Sequence, residues 1–156
     1  MSTHSLTVRR TVHAPVEQVW AVLTDLDHAE ERLTNVTGVR VLTDGPYAVG
    51  TRWRETRKML GVETTEEMWV AENDPLRSTV IEASSGGTDY RTVFTLKPLG
   101  ERSTELTMQF SGENGDAPTG VRKALGKAMG SLGLRLTRRT IERDLDDIAA
   151  AAATPV

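Results

Sequence analysis

Residues 51–70, TRWRETRKMLGVETTEEMWV, constrain the fold more than any other stretch. Leu60-Gly61 supplies a two-residue turn, and folding the arms about it pairs positions whose numbers add to a constant. One face then sets Lys58 opposite Glu63, Thr56 opposite Thr65, Arg54 opposite Glu67 and Arg52 opposite Trp69. Opposite charges, a threonine pair and a cation–π pair are favourable cross-strand neighbours, each contributing about 0.2–1 kcal/mol. The other face sets Met59 with Val62, Arg57 with Thr64, Glu55 with Glu66, Trp53 with Met68 and Thr51 with Val70. A solvated face of matched charges, backed by an apolar face with a Glu-Arg-Glu centre, predicts a sheet curved around a cavity. A one-residue slip would exchange the two faces, so the register decides where every side chain points.

The remaining strands follow from alternation. Ser5–His13 sets Leu6, Val8 and Val12 against Thr7, Arg9, Thr11 and His13, the pattern of a half-buried strand. Pro15 suits the first turn of a helix, and Val16, Val19, Trp20 and Leu23 share one helical face. Asp27 is placed to cap a second short helix, HAEERL. Val36–Thr43 is a second strand, and Asp44-Gly45-Pro46 a turn leading into the hairpin. After Asn73-Asp74-Pro75 come strands at Arg77–Ala83 and Thr88–Lys97, joined by Ser84-Ser85-Gly86-Gly87, and a seventh strand carrying Leu106, Met108 and Phe110 on one side. Turns this short demand antiparallel neighbours. Gly112–Thr119 is a polar connector, and a long helix runs on to Ala153, with a poorly ordered end, AAATPV. The chain is expected to form a single domain over residues 1–153, with a disordered tail at 154–156.

The long helix carries two apolar stripes. Leu134, Ile141, Leu145 and Ile148 form one; Val121, Leu125, Met129, Leu132 and Leu136 lie nearly opposite. Gly126, Gly130 and Gly133 cluster towards the first stripe, and each glycine costs a helix about 1 kcal/mol against alanine. Either the glycines thin the helix over a pocket faced by Gly130 and Leu134, or a kink near Gly130 lets both stripes reach one core. Arg135, Arg138, Arg139 and Arg143 interleave with Glu142, Asp144, Asp146 and Asp147, which reads as a solvated, salt-bridged face.

The segments VHAPVEQVWAVLTDLD, VGTRWRE, EEMWVAENDPLR and TIERDLDDI resemble those of the START and birch-pollen-allergen superfamily (SRPBCC), and within it the bacterial polyketide cyclase/dehydrase-like family. The resemblance spans the whole chain. It implies an α+β helix-grip fold: a seven-stranded curved antiparallel sheet around a long C-terminal helix, with two short helices between strands 1 and 2 and a hydrophobic cavity between sheet and helix. Aromatic polyketide cyclases and lipid or sterol carriers both belong to the family, and fold alone does not choose between them.

Composition removes several classes. The 156 residues carry a net charge of −3, so no global basic field favours nucleic acid. There is no cysteine to serve as nucleophile, metal ligand or disulfide, and His4, His13 and His28 are scattered, so neither metal nor cofactor is expected. No apolar run nears the roughly 18–20 residues of a membrane span, and a cytoplasmic location is the simplest expectation. No P-loop or dinucleotide fingerprint is present.

The candidate chemistry therefore rests on Glu55, Glu66 and Arg57. Two facing carboxylates in a poorly solvated pocket cannot both ionise cheaply, so the pKa of one is expected to rise and suit it as general acid or base on an enolisable ligand, and Arg57 is placed to hold a carboxylate or polarise a carbonyl. An internal salt bridge, or exposure on the surface, is the plainer alternative. Trp53, Met68, Tyr90, Thr92, Phe94, Met108 and Phe110 would line the same face as pocket wall or simply as core. The leading expectation is a protein that binds a small hydrophobic, polyketide-like or aromatic molecule and acts on it by acid/base chemistry. The alternatives are a non-catalytic carrier or sensor of a lipid or hydrophobic metabolite, and an interaction module or homodimer using the Leu125, Met129 and Leu132 stripe.

Overall fold

The computed structural model describes residues 3–59, 61–85, 88–114 and 131–153. Strand β1 (Thr3–Val12) leads to α1 (Val16–Leu23), a 3-10 turn at Leu26–His28 and the one-turn helix α2 (Ala29–Arg32). Strands β2 (Val36–Val41), β3 (Arg52–Met59), β4 (Val62–Asp74), β5 (Ser78–Ser85), β6 (Thr88–Gly100) and β7 (Ser103–Asn114) follow, and then helix α3 (Ser131–Ala153). The strands form one seven-stranded antiparallel sheet in the order β1-β7-β6-β5-β4-β3-β2. Successive hairpins place β2 to β7 side by side. The two short helices carry the chain from β1 at one edge to β2 at the other. This is the expected α+β helix-grip architecture.

The central hairpin has the predicted register at every described pair, from Arg52 opposite Trp69 to Met59 opposite Val62. Gly61 has φ +79°, a conformation open to glycine and strained for other residues. On the outer face the Arg52 guanidinium lies 4.8 Å from the Trp69 ring centroid, and the Thr56 and Thr65 hydroxyls are 2.8 Å apart. Arg52 reaches Glu67 diagonally at 3.4 Å. On the inner face Thr51, Trp53, Glu55 and Val70 are buried. Irregularities in the ladder between Val36 and Gly38 and between Val70 and Glu72 bend the strands of this half.

The dry core occupies one end of the inner face. Leu6, Val8 and Val12 of β1, Leu96 of β6, and Leu106 and Met108 of β7 meet Val19 of α1 and Ile141, Leu145, Ile148 and Ala152 of α3. Helix α3 therefore lies against β1 and α1. Arg10 holds one flank of α3 through Glu142 (3.2 Å) and Asp146 (2.9 Å). The other flank is tied to the α2–β2 loop, where the Thr34 N–H donates to Asp147 (2.8 Å) and Arg143 donates to the Thr34 hydroxyl. No described helix is long and apolar enough to cross a membrane.

Three local expectations are corrected. Asp27 caps nothing: it lies inside the 3-10 turn, and Asp25 instead accepts from His28 (2.7 Å) and Arg32 (3.0 Å). Gly112 belongs to β7, opposite Tyr90, and not to the connector. Helix α3 reaches Ala153, as expected, but Ala151–Ala153 belong to it and not to the poorly ordered end, with Ala152 buried against the core. Residues 154–156 and the stripe residues Val121, Leu125 and Met129 lie outside the described residues, as do the side chains of Leu132 and Leu136.

Candidate functional site

Strand alternation puts Glu55 and Arg57 on the inner face of β3, two residues apart. At that spacing the Arg57 Nε–H donates to Glu55 Oε2 at 2.7 Å. The other end of the guanidinium meets Asp144 of α3, with Nη1 2.9 Å from Oδ2 and 3.3 Å from Oδ1. The Arg57 side chain keeps 22% of its surface exposed, Glu55 9% and Asp144 6%, so a guanidinium clamped by two carboxylates joins sheet to helix away from bulk water.

Burial works against the charge on Arg57, but Asp144 and Glu55 outweigh it and hold the guanidinium firmly protonated. Asp144 responds differently. Burial, opposed by Arg57 and reinforced by the charges of Glu55 and Asp147, leaves its carboxyl raised to about 6. The sequence points to a raised carboxyl in the Glu55–Glu66 couple and passes over Asp144, whose raised carboxyl lies on the helix. Glu55 and Glu66 are register partners on the sheet, as predicted, but the carboxylate of Glu55 turns to Arg57.

The cluster forms one wall of a cavity of about 450 Å³. Thr64, Glu66 and Met68 of β4, Ile81 and Ala83 of β5, Tyr90 and Thr92 of β6, and Met108 and Phe110 of β7 line its sheet side. Thr137, Thr140, Ile141 and Asp144 of α3 close it. The rings of Tyr90 and Phe110 stack at 5.6 Å between centroids and 15° between planes. Gly112 permits this: a Cβ there would sit 3.3 Å from the Tyr90 ring. The Tyr90 phenol is pushed up by burial and by the charge of Glu66, with a Thr88 hydrogen bond pulling the other way.

A second void of about 100 Å³ lies beneath α1 and α2, lined by Leu26, Leu33, Trp53, Phe94 and Ile148 among others. It shares Glu55, Arg57, Met68, Ile81, Thr92, Met108 and Asp144 with the larger one, so the charged cluster stands in the partition. Trp53 and Phe94, predicted to line the main pocket, line this smaller void. The Trp53 Nε1–H is buried with no hydrogen-bond partner among the described residues.

The other predicted wall residues, Met68, Tyr90, Thr92, Met108 and Phe110, border the large cavity together with Glu55, Glu66 and Arg57. Gly130 and the Leu134 side chain lie outside the described residues. Asp144 was assigned to a solvated face and is buried instead. At about 100° per residue, Asp144 lies about 60° from Ile141 and about 40° from Ile148 on the helix, at the margin of the apolar arc. That offset was the available signal, masked by its acidic neighbours.

A curved antiparallel sheet gripping one long helix, with a cavity between them, defines a helix-grip protein. The family described as polyketide cyclase / dehydrase and lipid transport matches residues 3–153, and the chain belongs to it. No curated protein matches this chain. Among solved structures it is similar to the Zhui aromatase/cyclase from Streptomyces sp. R1128 (TM-score 0.80, 16% identity, 97% of this chain and 94% of that one). It is also similar to a protein from Thermus thermophilus (0.78, 19%, 96% and 97%) and to truncated norcoclaurine synthase from Thalictrum flavum (0.76, 15%, 99% and 96%). At these identities the likeness is one of fold.

Proposed function

We propose that this protein binds a small hydrophobic molecule, aromatic or polyketide-like, in the cavity between sheet and α3, and that the charged cluster moves protons on it. The observation that carries the reading is the coincidence of apolar walls with the buried Glu55–Arg57–Asp144 cluster on one void. Apolar surface supplies affinity, and a few fixed polar groups orient the ligand. Arg57 polarises a carbonyl, while Asp144, ionising near neutrality, gives or takes a proton with Glu55 beside it and Glu66 on the same cavity. The stacked Tyr90 and Phe110 offer a flat apolar surface to a ring. The description of the family and the aromatase/cyclase named among the structural neighbours support the same ligand class.

Binding is tested by displacement of N-phenyl-1-naphthylamine, a neutral fluorescent probe, from the wild type and from Ala83→Leu, which fills the cavity wall. Saturable binding lost in the variant supports the reading; equal binding by both proteins, or by neither, sinks it. Native mass spectrometry of protein from its own host then identifies the bound molecule. Chemistry is tested by turnover of a candidate polyketide that disappears in Glu55→Gln, Glu66→Gln or Asp144→Asn while affinity persists. Carriage without turnover is the second reading, favoured by the engagement of Arg57 at both ends by protein carboxylates.

A further inference from the structure

We propose that the cavity selects cationic ligands: a protonated amine on an aromatic or alkyl body, with its ammonium group seated against Asp144 and Glu55. The inference rests on the cavity being a ligand site and adds the charge of what enters it.

The argument is a charge balance in a place where charge is expensive. Glu55 and Asp144 contribute two carboxylates and Arg57 one guanidinium, all within 2.7–3.3 Å contacts. With all three ionised, the cluster holds one surplus negative charge beside a void with predominantly apolar walls. A proton on Asp144 removes that surplus, which is why burial displaces its titration towards neutrality. A ligand ammonium removes it equally well and without leaving Arg57 short of a partner. A carboxylate ligand does the reverse: Arg57 is already engaged at both ends, so an incoming anion must displace Glu55 or Asp144 or add a second surplus charge. The remaining geometry suits an ammonium on a ring. Tyr90 and Phe110 present stacked faces on the same cavity, and ring faces attract cations.

The groups that set this balance come from every element around Asp144. Glu55 and Arg57 of β3 and Asp147 on α3 itself act on it directly, and Glu66 of β4, Glu82 of β5 and Tyr90 of β6 line the same cavity. Asp25 and Arg32 border the smaller void with it. A proton and an ammonium compete for one place, so amine binding is linked to pH. Affinity for an amine rises as pH increases through the Asp144 titration, and binding near its midpoint releases protons.

The experiment compares three ligands of one shape: 2-(1-naphthyl)ethylamine, 2-(1-naphthyl)ethanol and 1-naphthylacetate. Their affinities are measured by calorimetry at pH 5.0 and 7.5, with N-phenyl-1-naphthylamine as an uncharged reference. At pH 7.5 the amine binds about tenfold or more tighter than the alcohol, and the carboxylate is the weakest. At pH 5.0 the advantage of the amine over the alcohol shrinks to about threefold or less. Repeating the titration near pH 6 in buffers of different ionisation enthalpy shows proton release with the amine and none with the alcohol. Asp144→Asn loses the preference for the amine over the alcohol, and with it the pH dependence of that preference. An alcohol or carboxylate that matches the amine at pH 7.5 overturns the proposal, as does an amine preference independent of pH in the wild type. Binding of the uncharged reference alone overturns the charge selection and leaves the cavity as a ligand site. If the reference also fails to bind, the cavity reading falls and this inference falls with it.

Discussion

Around Leu106 and Leu145 the inner face of the sheet is solid; around Glu55 and Asp144 it is hollow. The same sheet and the same helix make both regions. At the solid end Val12, Val19, Leu106 and Leu145 are wholly buried, and α1 closes the layer. At the hollow end the strands present Ala83, Thr64, Thr92 and a charged cluster, and the helix presents Thr137, Thr140 and Asp144. Short and polar side chains do not fill the gap between a curved sheet and a helix, so the spacing set by the packed end leaves a void at the other. The solid end supplies stability, which allows the hollow end to keep buried charge and unfilled volume.

Mutations at the two ends therefore separate by size of effect. Leu106→Ala, which opens a hole in the solid end, is expected to destabilise by about 3 kcal/mol in urea denaturation. A loss below about 1 kcal/mol would mean that this end is not close-packed. Arg57→Met is next. It leaves two buried carboxylates facing each other, and breaking such an ion cluster by removing one partner costs about 2–3 kcal/mol when the site keeps some exposure. A neutral outcome at pH 7.5 would show the cluster to be solvated.

The third effect is one of pH. The native carboxyl of Asp144 titrates at about 6, above its ordinary value of 3.8, so between these the folded state holds the extra proton. Stability contributed at this site is therefore full below about pH 4 and falls as pH rises to about 6, by roughly 2–3 kcal/mol. Asp144→Asn cannot ionise, so the wild type loses stability relative to that variant over the same interval. Paired urea titrations at pH 4, 5, 6 and 7 measure the difference; a flat difference contradicts the burial of this carboxyl. The smallest effect is expected for Met68→Ala, within about 1 kcal/mol, because Met68 already borders open volume and its loss removes few contacts. Its consequence should appear in ligand affinity, read by displacement of N-phenyl-1-naphthylamine.

Much of this contrast was legible along the chain. Alternation in Ser5–His13 assigned Leu6, Val8 and Val12 to the core, and the turn at Gly61 set the register that places Glu55, Arg57 and Glu66 inward. The capping role of Asp27 and the end of β7 were misplaced. A cap or a strand end depends on a few local hydrogen bonds that composition does not encode. The division of labour between Trp53 and Tyr90 was also hidden. Both alternate inward, but α1 and α2 cover only the Trp53 end.

The hairpin was determined by the sequence itself, because register depends on a two-residue period and a turn, both contained within 20 neighbouring residues. The place of Asp144 was decided by tertiary structure. On the isolated helix it is one of several acids at the margin of an apolar arc. The rotation of α3 is set by Arg10 on the opposite sheet edge and by Thr34 beyond α2, more than a hundred residues away. Those contacts turn Glu142 and Asp146 towards Arg10 and leave Asp144 facing Arg57, and with it the charge of the cavity.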